Sequence, residues 1–243
     1  MKKNAIITGA SGGIGGAIAI RLAMAGYSLV LLGNRSSDKL KIIEETCLSY
    51  GNSVKTLTGN LGDSKMATEL FTEAISFFHG NVDVLVNSAG ISKVGLLTDM
   101  ADDEWQDILS VNLSSVFYSC RKVIPSMVHN KQGRILNISS IWGKSGASCE
   151  AAYSATKGGM DSLTKSLAKE LAPSNIAVNA LACGMIDTPM NHCFSEDDVA
   201  AICEEIPMGR MGTPEEVAEM AYLIIKAPVY LTGQIITFDG GWQ

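Results

Sequence analysis

Tyr153 and Lys157 stand four residues apart in AAYSATKGGM, residues 151–160, a stretch otherwise built almost entirely of small residues. On a helix that spacing brings the phenol and the ammonium out one turn apart on one face. A free phenol titrates at roughly 10, so exchanging protons near neutrality requires its anion to be favoured by about 3 units, or roughly 4 kcal/mol. A cation one turn away is a direct source of that stabilisation. Ser140, at the end of the apolar run RILNIS, has no adjacent His and no GxSxG turn to activate it as a nucleophile. It reads instead as a hydrogen-bond donor to a reacting oxygen. Asn112 interrupts an apolar stripe of Trp105, Ile108, Leu109, Val116, Cys120 and Val123 at helical spacing. A polar amide on that face must find partners, either as a satisfied core group or as part of a site.

These residues need a frame that holds them together. Short β-branched apolar runs at 5–8, 28–32, 54–58, 82–87, 134–139, 176–181 and 234–238 predict seven strands. Segments of helical period at 14–25, 37–50, 64–78, 102–127, 151–172, 195–205 and 214–226 alternate with them. Such alternation predicts an α/β fold, a Rossmann-type doubly wound parallel sheet with helices on both faces, whose ligands lie at the carboxyl ends of the strands. The first strand runs into GASGGIGG, so Gly9, Gly13 and Gly15 occupy a strand-to-helix turn suited to a pyrophosphate on the helix N-terminus. The second strand ends in Asn34, Arg35 and Ser36, with the first acid delayed to Asp38. An Arg at this place suits a ribose 2'-phosphate, and an acid a free 2'-hydroxyl, which favours NADP over NAD.

The 243 residues, 47% hydrophobic, carry no linker, repeat or low-complexity tract, and are expected to form one catalytic domain over 1–243. A net charge of -6 with scattered Lys and Arg gives no footprint for nucleic acid. The opening apolar run is short for a signal peptide, and no uncharged stretch of 18 residues exists, so a cytoplasmic protein without membrane spans is expected. Six cysteines without a CxxC pair read as reduced thiols, and the three scattered histidines give no metal motif.

Taken together, TGxxxGxG, NSAG at 87–90, Asn112, ISS at 138–140 and the YxxxK pair resemble the short-chain dehydrogenase/reductase family, in order and over nearly the whole chain. Within it the chain is most similar to the 3-oxoacyl-[acyl-carrier-protein] reductase group. The resemblance implies that Gly9, Ser11, Gly13, Ile14 and Gly15 form the cofactor turn, that Arg35 with Asn34 and Ser36 meets the 2'-phosphate, and that Asn60 and Leu61 flank the adenine. It further implies that Asn87, Ala89 and Gly90 support the centre of the cofactor, and that Ile186 and Thr188 lie by the nicotinamide carboxamide. Asn112, Ser140, Tyr153 and Lys157 would be the catalytic tetrad, with Tyr153 and Lys157 also touching NADP(H). Ser140 rather than Ser139 takes this role because it stands 13 residues before the tyrosine, the family's usual gap. Asn112 would bend its helix and anchor a water chain that reprotonates through Lys157.

The implied reaction is reduction of a 3-oxoacyl thioester, with acyl carrier protein as a partner and a homotetramer as the assembly. Other ketones fit the same tetrad: the stretch IWGKSGASCEAAYS is also similar to reductases of the aminopentanone modification of elongation factor P, and hydroxysteroid dehydrogenases share the four residues. A non-catalytic dinucleotide-sensing module is the reading from a different class. Departures from the family pattern are Gly12, where many NADPH users have a second Arg, Ser88 for a second Asn, and Cys183 for the proline of the late PG turn. Lys131 is a candidate contact for a carrier protein, whereas Ser174 stands where a basic residue is often found. Residues 187–210 carry Met190, Phe194, Val199, Ile202 and Ile206 in an amphipathic pattern, the expected substrate lid.

Overall fold

A computed structural model describes residues 2–34, 36–191 and 194–243. Seven parallel strands form one sheet in the order β3-β2-β1-β4-β5-β6-β7: β1 (Asn4–Thr8), β2 (Ser28–Gly33), β3 (Val54–Thr58), β4 (Val84–Asn87), β5 (Gly133–Ser140), β6 (Ile176–Cys183) and β7 (Ile235–Phe238). Their β-branched residues suit a pleated surface buried on both faces; β2 and β6 are buried along their entire length. The chain reverses its winding between β1 and β4, where the carboxyl ends of neighbouring strands open a crevice.

Side chains alternate between two cores. Ile7, Leu29, Leu31, Val86, Leu136 and Leu181 pack toward α1 (Gly13–Met24), α2 (Ser37–Ser49) and α9 (Pro214–Lys226). Ile6, Val30, Leu85, Ile135 and Val178 face α3 (Ser64–Phe77), α5 (Ser115–Asn130) and α7 (Ala151–Leu171). Phe71 on α3 is wholly enclosed in the second core, a burial that contributes roughly 1.5–3 kcal/mol. Capping follows the sequence: Asp63 accepts from the Met66 amide at 2.7 Å, and Thr213, followed by Pro214, accepts from the Glu216 amide at 3.2 Å.

The long helix expected over 102–127 is instead built in three parts. Helix α4 (Asp102–Leu109) runs into a π turn, Ser110–Ser114, and α5 continues from Ser115 to Asn130. The extra residue of the π turn is the physical reason for the break, and Asn112 sits inside it. A short α6 (Trp142–Ser145) links β5 to the loop before α7, and α8 (Glu196–Glu205) lies between β6 and α9 in the chain. Among the described residues no helix is long and apolar enough to cross a membrane.

Candidate active site

Helix α1 begins at Gly13 behind Gly12, which has no side chain to cap it, and its first turn holds no acid. The positive end of the helix dipole therefore meets no acid from the first turn of its own helix. Two glycines leave no choice of residue here. Gly9 has φ +68°, and a Cβ on it would stand 2.7 Å from the Ala89 amide nitrogen. A Cβ at Gly15 would lie 2.3 Å from the Gly9 carbonyl oxygen. Ser11, Gly13 and Ile14 complete the turn; Ile14 is half-buried against the first core. This cradle fits a dinucleotide pyrophosphate.

The NSAG segment is tied to the turn by Thr8, whose hydroxyl accepts from the amides of Ser88 at 3.0 Å and Ala89 at 3.1 Å. Asn87 does not point outward. Its Nδ2 donates to Asn137 Oδ1 at 2.8 Å, its Oδ1 accepts from Ser119 at 2.7 Å, and Asn137 Nδ2 donates to Thr164 at 2.8 Å. This buried ladder stitches β4, β5, α5 and α7 together, so Asn87 supports the segment from behind. Ser119, Asn137 and Thr164 had a sequence signal, polar residues set in apolar surroundings, but their partners are long-range and unreadable from spacing.

Asn112 is fully buried, and every polar atom of its amide is used. Its Oδ1 accepts from the Ile91 amide at 2.8 Å, and its Nδ2 donates to the Ile91 carbonyl at 2.8 Å and to the Thr156 hydroxyl at 3.2 Å. Asn112 is a satisfied core amide, and it sits where the helix deviates. Gly90 lies beside it; a Cβ there would stand 3.5 Å from Asn112 Oδ1 and 3.8 Å from Lys157 Nζ.

Ser140, Tyr153 and Lys157 converge at the carboxyl edge of the sheet. The Ser140 hydroxyl accepts from the Trp142 amide at 3.2 Å. Lys157 is buried, donates to the Ile138 carbonyl at 2.8 Å, and holds its ammonium 5.4 Å from the centre of the Tyr153 ring. Burial pushes the Lys157 pKa down to about 8, with the Cys183 thiol and Asp161 working in the opposite direction. The expected lowering of the Tyr153 phenol by Lys157 is not the resting state of the protein. Burial pushes that phenol up, the negative charge of Glu150 and the Cys183 thiol add to the rise, and hydrogen bonding with Ser140 opposes it. Desolvation of the phenolate outweighs its neighbours here, so the resting Tyr153 keeps its proton.

Cys183 closes β6 beside Ser140, its register partner on β5, and burial raises its thiol pKa to about 12. It is a small buried filler without thiolate character. Ile186 and Thr188 are buried past the end of β6, and Thr188 Cγ2 lies 2.8 Å from where a Cβ on Gly13 would stand, so the segment that follows β6 reaches the glycine turn.

Asn34 and Ser36 are exposed at the end of β2, while Arg35 lies outside the described residues. Asn60 is exposed and its Oδ1 accepts from the Gly62 amide at 2.9 Å, whereas the Leu61 side chain belongs to the second core. In the segment expected to act as a lid, Val199 and Ile202 of α8 are half-buried, Met190 is exposed and Ile206 is buried.

The chain has relatives along its whole length. The family model for short chain dehydrogenase matches residues 3–199. The chain is 39% identical to the uncharacterized oxidoreductase YmfI of Bacillus subtilis (strain 168), covering 100% of both chains. It is 40% identical to the 3-oxoacyl-[acyl-carrier-protein] reductase FabG of Staphylococcus epidermidis over 99% of each, and 38% identical to FabG of Aquifex aeolicus over 98% of this chain and 96% of that one. Among solved structures, YwfH, an NADPH-dependent reductase involved in bacilysin biosynthesis, superposes with a TM-score of 0.93 at 29% identity, over 100% of this chain and 99% of that one. A variant of actinorhodin polyketide ketoreductase with NADPH gives a TM-score of 0.93 at 32% identity, over 99% and 97%. The uncapped glycine turn, the four tetrad residues and these likenesses lead to one assignment: the chain belongs to the short-chain dehydrogenase/reductase family and is a short-chain oxidoreductase that uses a nicotinamide dinucleotide.

Proposed function

We propose that the protein is an NADPH-dependent ketoreductase that converts a 3-oxoacyl thioester, carried on acyl carrier protein or CoA, to the 3-hydroxyacyl form. The observation that carries this reading is the protonated Tyr153 phenol beside Ser140, with the Lys157 ammonium fixed behind its ring. A nicotinamide dinucleotide held by the turn of Gly9, Gly13 and Gly15 would supply the hydride. The Ser140 hydroxyl donates to the carbonyl oxygen and holds it against the phenol. As negative charge develops on that oxygen, Tyr153 passes its proton across, leaving a phenolate that the Lys157 ammonium stabilises. Asn112 and Thr156 fix the first turn of α7, which carries the donor.

Gly9, Gly13 and Gly15 would receive the pyrophosphate and Arg35 the 2'-phosphate, which is the basis for choosing NADPH. FabG relatives at about 40% identity over the full length support a 3-oxoacyl substrate. A homotetramer belongs to the same reading; Phe117 on α5 leaves 46% of its surface exposed on a face available to a second copy. The test is turnover of an acetoacetyl thioester with NADPH, followed as loss of the reduced nicotinamide absorbance and repeated with NADH. Oxidation of NADPH by this substrate supports the reading. Binding of NADPH without reduction of any ketone in a broad panel removes it in favour of a dinucleotide sensor. Sedimentation at the monomer mass removes the assembly.

A further inference from the structure

The tail that follows β7, residues 239–243, leaves the sheet at the same edge as Ser140. Register sets Ser140 of β5 beside Cys183 of β6, and Cys183 beside Phe238 of β7, so the tail starts two strands from the hydroxyl that would hold the ketone oxygen. It then folds back on itself. Asp239 accepts from the Gly241 amide at 3.0 Å and from the Gln243 amide at 2.9 Å. Gly240 and Gly241 have φ of +70° and +88°, values that residues with a Cβ rarely adopt. This turn brings the half-buried ring of Trp242 onto Trp142, edge to face, with 5.1 Å between ring centres. Trp142 stands two residues past Ser140, and its amide donates to the Ser140 hydroxyl at 3.2 Å.

The same indole reaches α8. Trp242 Nε1 donates to Oε2 of Glu205, the last residue of that helix, at 3.4 Å. Beside it the Gly240 carbonyl accepts from the Met208 amide at 3.3 Å, and a Cβ on Gly240 would stand 2.9 Å from Ile206 Cγ2. These contacts matter because α8 has little else to hold it. None of its ten residues is fully buried, and the capping box of Ser195 and Asp198 at its start is internal to the helix. A helix that removes so little apolar surface from water draws little stability from the core. Its place is therefore set at its carboxyl end, by the buried Ile206 and by the tail packed on it. Trp242 bridges the segment expected to act as a lid and the segment that fixes the Ser140 hydroxyl.

We propose that Trp242 is a positioning residue for the ketone: clasped against Trp142, it holds the carboxyl end of α8 in a fixed relation to Ser140 and so sets the space in which the substrate sits. This inference rests on the ketoreductase reading above and adds to it a residue outside the tetrad and the glycine turn. The experiment measures kcat and KM with saturating NADPH in the full chain, in Trp242→Ala and in Trp242→Phe. The substrate is the acetoacetyl thioester, or the best ketone of the panel if that thioester is not turned over. An edge-to-face pair contributes up to about tenfold in an equilibrium constant, so Trp242→Ala should raise KM by about that factor while kcat stays within about threefold. Trp242→Phe keeps a ring for the contact and should recover most of the loss. Adding Trp142→Ala to Trp242→Ala should cost little more than either change alone, as expected of two rings that act through each other. NADPH affinity, followed by fluorescence titration, should be the same in every variant, which separates placement of the ketone from damage to the fold. If Trp242→Ala leaves KM as it was, if Trp242→Phe is as impaired as Trp242→Ala, or if NADPH binding falls in step with turnover, the proposal is overturned while the ketoreductase reading stands. If the unaltered protein reduces no ketone at all, both fall together.

Discussion

Asn112 Nδ2 donates to the Thr156 hydroxyl at 3.2 Å, and that hydroxyl donates in turn to the Tyr153 carbonyl at 2.7 Å. A π turn in one helix is thereby coupled to the backbone of Tyr153 in another. Asn112→Ala removes a buried amide and strips partners from the Ile91 amide and carbonyl, whose bonds are partly buried. Each lost bond costs about 0.5–1.5 kcal/mol, so a loss of about 1–3 kcal/mol is expected in denaturant unfolding. Thr156→Val keeps the shape and removes only the link between the two helices. It should lower kcat more than it raises KM, whereas Thr156→Ser should recover much of the rate.

Tyr153→Phe removes the phenolic oxygen and nothing from the glycine turn, which runs from the end of β1 into the first turn of α1. Loss of a positioned general acid lowers turnover by about 10²–10⁴-fold. Dinucleotide binding, followed by fluorescence titration, should survive. Survival of full turnover would show that another group donates the proton.

Lys157 predicts opposite pH trends for activity and stability. Its pKa in the folded protein is about 8, against 10.5 for the free side chain, and desolvation is the main cause. Turnover depends on the ammonium, so it should decline as pH rises through about 8. The sign for stability follows from proton counting. Between pH 8 and 10.5 the unfolded chain holds the lysine proton that the folded chain has lost, so unfolding free energy rises with pH across this window for this group. Urea titrations of the native protein and of Lys157→Met at several pH values isolate that contribution. The difference between the two should change with pH above 8 and be flat below it.

Much of this site was readable because its chemistry rests on residue type and local spacing. The β-branched runs located each strand to within about two residues, and the YxxxK spacing put phenol and ammonium on one helical face without knowledge of what packs against it. What spacing could not convey was the partner of each polar group. The break at Ser110–Ser114 depends on Ile91 and Thr156, distant in sequence from Asn112. The direction of the Tyr153 shift depends on desolvation, which sequence alone does not measure. Glu150 stood in plain view three residues before the tyrosine, but only the placement of Ser92 shows its carboxylate turned away from the helix cap.

The cysteines give a final prediction. Cys47, Cys120 and Cys183 are buried, and desolvation lifts each thiol to about 12, which leaves almost no thiolate at neutral pH. The thiolate is the nucleophile, so these three should resist alkylation in the native protein. Among the described cysteines, Cys149 and Cys203 are half-exposed and should react first. Peptide mapping after brief iodoacetamide treatment, with and without denaturant, reads this directly. Labelling of Cys183 at a rate comparable with Cys149 would mean that the edge of β6 opens to solvent, and that Lys157, Tyr153 and the strand end beside them are less enclosed than their present electrostatics require.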